Sequence, residues 1–266
     1  LKKTINISRN MPNILKSNFI KGFQYYDLQV DDKKLTELNA IDAQKYGATI
    51  LENIKVVKTK RLKDNWEIYL ENDEILKSKV LINASGPWIN EVIKDVLKIP
   101  SKKSIRLVKG SHIIIKKIYK EEVAFTLQNH DKRVVFVIPF KNKYSLIGTT
   151  EVEVSSPDNP KIDKEEIEYL ISSVNYYFKK QITNSEVIET YSGIRPLIED
   201  YNENATKVTR DYIFDLNIDN NLPVLLNIYG GKLTTYRKLA ENVINELASF
   251  LPLKNKKNWT SKKKLF

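Results

Sequence analysis

Two segments of the chain repeat apolar residues at helical spacing. Residues 163–180, "DKEEIEYLISSVNYYFKK", begin with acidic residues and end with lysines, which suits the helix dipole. The apolar positions of this segment fall on one face, which consists of Ile167, Leu170, Ile171, Val174 and Phe178. A shorter pattern begins near Asp31 or Asp32, and its inner face consists of Leu35, Leu38 and Ala43. Both patterns predict amphipathic helices.

Other segments alternate or cluster apolar residues as strands do. Residues 53–88 predict three strands with turns at "KDN" and "END", and the last apolar run, Val80 to Ile82, is predicted to be buried. Residues 104–153 are also rich in strand patterns and include a hairpin at "KNK". Further strands are predicted within "SEVIETYSGIRPLIED" and "KVTRDYIFDL". The chain is therefore predicted to be a mixed α/β protein.

The segment "LPVLLNIYGGKLTTYRKLAENVI" combines a strand, a glycine turn and a helix. The helix is predicted to have an inner face of Tyr236, Ala240, Val243 and Leu247. Glycines at such a junction let the backbone approach a ligand, and the first turn of a helix favours negative charge. Lys232 and the hydroxyls of Thr234 and Thr235 add a cation and hydrogen-bond donors there. The alternative is a plain turn at Gly230 and Gly231, capped by a threonine, with Lys232 in solvent.

Five predicted turns share one property. Each places glycine or other small residues beside a polar group directly after an apolar strand; they are "NASGPW", "LVKGSH", "IGTTE", "YSGIRP" and "YGGKLTT". Ligands in open α/β sheets bind at the carboxyl ends of strands. The five turns together predict a shared binding pocket.

The composition limits the class of protein and of chemistry. With 266 residues, of which 41% are hydrophobic, the chain can bury a large core as one or two domains. No apolar run approaches the roughly 18 residues of a membrane span, and the first residues lack the apolar centre of a signal peptide, so a cytoplasmic location is predicted. The absence of cysteine excludes disulfides and thiolate chemistry. With His112 and His130 as the only histidines, no metal site is predicted.

The formal net charge of +11 raises the question of a nucleic-acid or anionic-membrane partner. Lysines greatly outnumber the seven arginines and are spread along the whole chain, so most of them are predicted to be solvated surface residues. No zinc-finger spacing, aromatic RNA-binding signature or clear helix-turn-helix pattern supports a nucleic-acid-binding module, which ranks last among the hypotheses. Contact with a membrane surface stays open.

Eight segments of the chain occur in an order and spacing that resemble one enzyme family. They are "KGFQYYDLQVDDKKL", "LINASGPWINE", "IRLVKGSHIII", "DKRVVFVIPF", "SLIGTTEVE", "TYSGIRPL", "VTRDY" and "GGKLTTYRKLAE". The family is that of the flavin-dependent glycerol-3-phosphate dehydrogenases, in the D-amino-acid-oxidase-like superfamily. The resemblance extends over nearly all 266 residues.

The resemblance implies a partial, Rossmann-like flavin-binding domain and a β-sheet substrate domain. Residues 1–103 and 188–250 would form the flavin domain, residues 104–187 the substrate domain, and residues 251–266 a basic tail. The sequence has neither the family's G-x-G-x-x-G unit, which holds the dinucleotide pyrophosphate, nor its C-terminal helical domain. The chain therefore resembles a central fragment of the enzyme. The alternative is an inactive fragment, or half of a split enzyme that binds FAD only with a complementary chain.

The resemblance also implies which residues bind glycerol 3-phosphate. A phosphate dianion needs fixed cations, and the planar guanidinium of arginine suits phosphate oxygens. Arg195 and Arg210 match family positions that line the substrate site. Arg195 stands among apolar neighbours, where a solvated arginine would be unusual, whereas an ion pair with Asp211 is an alternative role for Arg210. Further pocket residues implied by the family are Lys232, Thr149 and Thr150.

The implied reaction is hydride transfer from C2 of glycerol 3-phosphate to FAD, with loss of the C2 hydroxyl proton. His112 is the implied base, with a purely structural histidine as the alternative, and Arg195 and Lys232 complete the implied catalytic group. The residues implied to contact FAD are Gly86, Pro87, Trp88, Gly230, Gly231, Lys232, Leu233 and Thr234. Reduced flavin would pass its electrons to a membrane quinone, which suits a basic protein on the inner membrane surface. An oxidase that reduces oxygen is the alternative.

Overall fold

A computed structural model of the chain describes residues 3–11, 13–101, 103–198, 211–219, 222–252 and 259–264. The helices in these residues are α1 (Ile7–Asn10), α2 (Asp32–Lys45), α3 (Ile89–Glu91), α4 (Lys164–Tyr177) and α5 (Tyr236–Glu246), and α3 continues as a π-helix over Val92–Leu97. The strands are β1 (Lys3–Asn6), β2 (Lys21–Gln24), β3 (Val56–Arg61), β4 (Trp66–Leu70), β5 (Ile75–Ser78), β6 (Val80–Asn83), β7 (Ile105–Lys116), β8 (Phe125–Gln128), β9 (Val134–Phe140), β10 (Tyr144–Gly148), β11 (Val152–Val154), β12 (Glu189–Ile198), β13 (Tyr212–Asn217) and β14 (Val224–Gly230). The chain is a mixed α/β protein, as the sequence predicted.

The chain divides into two compact units. The first unit contains Leu1–Leu28 and Leu107–Arg195, and the second unit contains Gln29–Arg106 and Pro196–Phe266. The sequence had suggested boundaries after residues 103 and 187, and it had grouped the first 28 residues with the segment that follows them. Which unit serves the flavin and which the substrate stays a prediction.

In the described residues, the first unit is built on a six-stranded sheet. Its order is β11-β7-β10-β9-β8, and β12 also pairs with β7. The hairpin predicted at "KNK" is confirmed, because β9 and β10 pair with Phe140 opposite Tyr144. Helix α4 shares one core with this sheet and buries the predicted face, although Ile167 is only partly buried. This core includes Ile113, Ile115, Val137, Ile147, Leu170, Val174 and Phe178.

The second unit contains two three-stranded sheets in its described part. One is the antiparallel meander β3-β4-β5, which confirms the two predicted turns, whereas the last predicted strand is divided into β5 and β6, which belong to different sheets. The other has the order β13-β14-β6, with β14 antiparallel to β13 and parallel to β6. The buried Trp66 joins the two sheets by donating from Nε1 to the carbonyl oxygen of Val224, 3.1 Å away. The core around β14 consists of Val224, Leu226, Ile228, Val243 and Leu247.

Two predictions about buried positions were wrong. Strand β6 was expected to be buried, but Ile82 is 41% exposed, because β6 lies at the edge of its sheet within the described residues. In α5, Ala240 is exposed, and Leu239 packs against the core with Val243. Leu239, one position earlier in the chain, has the larger apolar side chain and is partly buried against this core.

Helix α2 forms where the sequence predicted it and begins at the predicted cap. The Asp31 carboxylate accepts a hydrogen bond from the backbone N of Lys34, 2.9 Å away. None of the helix's residues is fully buried, and its predicted inner face is only partly covered, at Leu35, Leu38 and Ala43. Among all the described residues, no helix has the length and apolar content that crossing a membrane requires.

Candidate functional site

Strands β7, β10 and β12 bring predicted substrate residues together in the first unit. Arg195 donates from Nη2 to Thr149 Oγ1 over 2.9 Å. Both groups lie against the backbone of Gly110, since a Cβ at that position would be 2.7 Å from Nη2 and 2.6 Å from Oγ1. Only glycine permits this approach without displacing the guanidinium. The arginine is therefore held at a defined place above β7.

His112 lies on β7 too, two residues after Gly110. It stands opposite Gly148, and a Cβ on Gly148 would be only 2.1 Å from the imidazole Cδ2 atom. The ring of Tyr191 is also close, with its centroid 5.6 Å from that of the imidazole. The Nδ1 atom of His112 is buried and has no hydrogen-bond partner among the described residues. A purely structural histidine would normally have such a partner when buried.

The surroundings of His112 keep its imidazole neutral. Burial and the positive charge of Arg195 lower the pKa of His112 to about 4. A neutral imidazole can accept a proton, which a protonated one cannot. An anion bound at Arg195 would offset the arginine's charge and so raise the pKa of His112. The pair can therefore hold an anion and take up a proton beside it.

Ser111 and Thr150, which adjoin these groups in the chain, belong to a buried polar cluster that no sequence pattern predicts. Glu166, 4% exposed, accepts hydrogen bonds from the hydroxyls of Ser111 and Thr150. The Lys109 Nζ atom lies 2.8 Å from Glu166 Oε2 and 3.4 Å from Asp163 Oδ2. Burial by itself lowers the pKa of Lys109, but the bonds to the two carboxylates outweigh it and hold the pKa above its usual range. Thr150, predicted to line the pocket, thus points into this cluster.

The predicted cofactor residues lie in the second unit, at the ends of two parallel strands. Strands β6 and β14 pair with Asn83 opposite Asn227, and Asn83 Nδ2 donates to Asn227 Oδ1 over 3.0 Å. The turn "NASGPW" begins at Asn83 and the turn "YGGKLTT" begins two residues after Asn227. Both turns therefore lie at the carboxyl ends of these two parallel strands. Gly86, Gly230 and Gly231 have positive φ angles of 57°, 74° and 108°. Among the described residues, nothing lies within 4 Å of where a Cβ of Gly86 would be.

These two turns fit a dinucleotide cofactor. Glycine-containing turns at adjacent carboxyl ends of parallel strands are where such cofactors bind, and the space beside Gly86 is open. Pro87 and Trp88 belong to a short 3₁₀ turn, and Trp88 is 43% exposed. The rest of the second turn is exposed at Lys232, Leu233 and Thr234.

The alternative interpretation of "YGGKLTT" was a plain turn with a threonine cap and a solvated lysine, and the structure agrees with it only for the lysine. Lys232 is exposed, as that interpretation has it. The threonine cap is not formed within the described residues: Thr235 occupies the cap position of α5, but its hydroxyl donates to the Lys232 carbonyl, 3.2 Å away. Arg210 lies outside the described residues.

Comparison with known proteins gives close relatives in sequence. The glycerol-3-phosphate dehydrogenase of Pseudomonas aeruginosa is 41% identical over 241 residues, which are 89% of this chain and 47% of that protein. The D-erythritol 1-phosphate dehydrogenase of Brucella abortus is 39% identical over 94% of this chain and 51% of its own length. The aerobic glycerol-3-phosphate dehydrogenase of Escherichia coli is also 39% identical, over 90% of this chain and 49% of its own length. The chain spans about half the length of these curated relatives.

Solved structures and a family model agree on the fold. The glycerol-3-phosphate dehydrogenase of Bacillus halodurans, crystallised with FAD, superposes with a TM-score of 0.77 at 23% identity, over 96% of this chain and 53% of that one. The L-α-glycerophosphate oxidase of Mycoplasma pneumoniae superposes with a TM-score of 0.70 at 17% identity, over 97% of this chain and 67% of that one. The family model for FAD dependent oxidoreductases matches residues 4–237. By this match, and in agreement with the resemblance of its motifs, the chain belongs to the family of FAD dependent oxidoreductases.

Proposed function

We propose that the chain carries the substrate site and part of the FAD site of an enzyme that oxidises sn-glycerol 3-phosphate to dihydroxyacetone phosphate. The single observation that supports this most is the pair formed by His112 and Arg195. The imidazole is neutral, and both side chains pack directly on the backbone of glycine residues. The relatives named glycerol-3-phosphate dehydrogenase, at 39 to 41% identity, support the choice of substrate.

In this proposal Arg195 binds the substrate phosphate, because a guanidinium and a phosphate form charge-assisted hydrogen bonds. Thr149 keeps the guanidinium in place through its 2.9 Å hydrogen bond. The C2–H bond then breaks, and FAD, when bound, supplies the acceptor for the hydride. The C2 hydroxyl proton passes to the imidazole of His112, and C2 and its oxygen become a carbonyl group.

Substrate binding would also prepare the base. In the structure, burial and the Arg195 charge hold the pKa of His112 down to about 4, which makes the imidazole a weak base. A phosphate dianion on Arg195 would compensate the arginine's charge and raise that pKa. His112 would then become a competent base only when the substrate is bound.

The second unit would hold the cofactor. Gly86, Pro87 and Trp88 would lie near the pyrophosphate or ribitol, and Gly230 and Gly231 would allow close approach of the backbone to the flavin ring. The N–H groups of Leu233 and Thr234, in the turn before α5, would favour negative charge there. Lys232 and Arg210 complete the proposed contacts, Lys232 toward the phosphate or the C2 oxygen and Arg210 toward the substrate.

The electron acceptor and the macromolecular partners are finer parts of the proposal. We propose a quinone as acceptor, with the protein on the inner membrane surface, which the net charge of +11 supports. A complementary chain that completes the FAD site is the other partner considered. Large apolar side chains exposed in one segment support it, namely Phe23 at 73%, Tyr26 at 86% and Leu28 at 94%.

The test is the visible spectrum of the purified chain after incubation with FAD, followed by anaerobic glycerol 3-phosphate. The expected result is a bound yellow flavin that bleaches on adding substrate. His112→Gln should abolish bleaching, and its matched control, the loop variant His130→Gln, should not. If no flavin is retained, the chain needs a complementary partner. Bound flavin that stays oxidised with glycerol 3-phosphate but bleaches with D-erythritol 1-phosphate would overturn the choice of substrate.

Arg195 is tested separately, with the half-buried Arg133 as its control. Arg195→Leu should weaken substrate binding at least tenfold, since a hydrogen bond to a charged group contributes about 1.5–3 kcal/mol. Arg133→Leu removes a surface arginine of the same unit, which is paired with Asp131, and should leave binding unchanged. Equal effects of the two substitutions would contradict the role of Arg195. Reoxidation by a quinone analogue, compared with oxygen, distinguishes a dehydrogenase from an oxidase.

A further inference from the structure

We propose that Glu166 is a positioning residue for the substrate site: its buried carboxylate holds Ser111 and Thr150, and through them the neighbouring Thr149 and His112, in one arrangement. The inference rests on the proposed function, because it concerns the same site. Glu166 itself belongs to α4 and contacts neither His112 nor Arg195 in any hydrogen bond of the described residues.

Hydrogen-bond donors converge on both oxygens of this carboxylate. Within the described residues, Oε1 accepts from Ser111 Oγ over 2.9 Å and from Thr150 Oγ1 over 2.5 Å. Oε2 accepts from the backbone N of Asp163 over 3.0 Å and binds Lys109 Nζ at 2.8 Å. Four donors thus share two oxygens. Only a carboxylate supplies enough acceptor sites for all of them, since a glutamine has a single oxygen and adds two donors.

The hydroxyl groups of Ser111 and Thr150 belong to residues that are adjacent in sequence to residues of the proposed substrate site. Ser111 is flanked by Gly110, on which the Arg195 guanidinium rests, and by His112. Thr150 follows Thr149, the hydrogen-bond partner of Arg195. Thr150 Oγ1 also accepts from the backbone N of Ser111 over 2.9 Å, which joins the turn after β10 directly to β7. Moving the carboxylate would therefore shift both sides of the substrate site.

The same cluster reaches the third strand of the site. Ser192 Oγ donates to Ser111 Oγ over 2.9 Å, and Ser192 precedes Arg195 by three residues on β12. Glu166 thereby connects α4 with β7, β12 and the turn after β10. The negative charge of the buried Glu166 carboxylate is balanced by Lys109, which is only 7% exposed and lies within ion-pair distance.

The competing explanation is that Glu166 only caps α4. Asp163 and Glu166 do form a capping box, with each side chain bonded to the other's backbone N. Glutamine serves equally well at the third position of such a box. A glutamine whose single oxygen keeps the bond from the backbone N of Asp163 preserves the capping box and turns its NH₂ group, which cannot accept, toward Ser111 and Thr150. The substitution in that orientation separates the two explanations.

The test is the double variant Lys109→Met/Glu166→Gln, which removes a cation and an anion together and leaves the net charge unchanged. The readout is the pKa of His112 by NMR, in a His130→Gln background where His112 gives the only imidazole signal. We expect that pKa to rise by about one unit or more, because a loosened site admits water and separates the imidazole from Arg195. The matched control is Lys117→Met/Glu122→Gln, which removes an ion pair of the same unit whose glutamate is exposed and should leave the pKa of His112 unchanged.

An unchanged pKa of His112 in the folded double variant, with only a lower unfolding midpoint, would overturn the proposal and leave Glu166 a structural residue. If the double variant does not fold, Thr150→Val decides, since it removes one donor and keeps the side-chain shape. It should also raise the pKa of His112, and no change would again overturn the proposal. Neither measurement requires turnover. Failure of glycerol 3-phosphate to bleach the flavin of the unmodified chain would instead count against the proposed function alone.

Discussion

The depressed pKa of His112 makes the stability of the chain depend on pH in a way that a single substitution should remove. In the unfolded chain this imidazole titrates near its ordinary value of 6.5, whereas in the folded chain burial and the Arg195 charge lower its pKa to about 4. Between these values the unfolded chain binds a proton at His112 that the folded chain does not. Acidification therefore favours unfolding throughout this range.

The size of the effect follows from the two pKa values. Each unit of difference corresponds to about 1.4 kcal/mol, so the shift from 6.5 to about 4 corresponds to a loss of about 3 kcal/mol in the free energy of unfolding. The loss begins as the pH falls below about 6.5 and is complete below about 4, where both states carry the proton. This is a large part of the roughly 5–15 kcal/mol that stabilises a typical domain.

Urea unfolding of the unmodified chain and of His112→Gln, each at several pH values from 7 to 4, measures the effect. Carboxylates titrate in both proteins, so their contribution cancels in the difference. The unmodified chain should lose about 3 kcal/mol relative to the variant over this range. A difference that stays constant with pH would refute the assignment. Arg195→Gln should raise the pKa of His112 only in part, since burial is the larger cause.

Four further substitutions test the glycine contacts and the buried ion pair. Gly110→Ala would place a Cβ 2.7 Å from Arg195 Nη2, so it should displace the guanidinium and lower catalytic efficiency about 100-fold, as a 1 Å misplacement does. The free energy of unfolding should fall by only about 1–3 kcal/mol; the reverse pattern would argue against a positioning effect. At Gly230, φ is 74° and an added Cβ would lie 2.5 Å from the Asp211 carbonyl oxygen. Gly230→Ala should therefore lower the free energy of unfolding in urea more than Gly86→Ala, whose Cβ faces open space and which should cost about 1–2 kcal/mol. Equal losses of unfolding free energy would contradict the clash at Gly230. Lys109→Met leaves the Glu166 charge buried and should cost about 3–5 kcal/mol in the same assay, and a loss below about 1 kcal/mol would mean that water reaches the carboxylate.

Local periodicity was enough to predict most of the secondary structure. Helices α2 and α4 and the hairpin of β9 and β10 follow from patterns within one segment, so their prediction needs no knowledge of the tertiary fold. Burial was less predictable where it depends on a distant segment. Ile82 has the apolar character of a core residue, yet 41% of it is exposed because no described strand covers that edge of β6.

The site was predictable as a set of residues but not as a geometry. The motifs "KGSH", "GTT" and "SGIRP" were found individually, while the contact of Arg195 with Thr149 joins residues 46 positions apart. Glu166 was missed for a different reason. An acidic residue in the first turn of a helix is already explained by the helix dipole, so nothing in the sequence marks it as the acceptor for Ser111 and Thr150.

The glycines of the first unit show what kind of signal the sequence does carry. The sequence pattern predicts glycine in turns after strands, and this is wrong for Gly110 and Gly148, which lie within β7 and β10. Residues two apart on a strand share a face, and Gly148 stands opposite His112, so the two glycines leave one stretch of the sheet surface without side chains. Arg195 and His112 lie directly on that bare backbone. Glycine weakens a strand, so its occurrence inside a strand pattern indicates close approach of another group, and in this chain that group is the proposed catalytic pair.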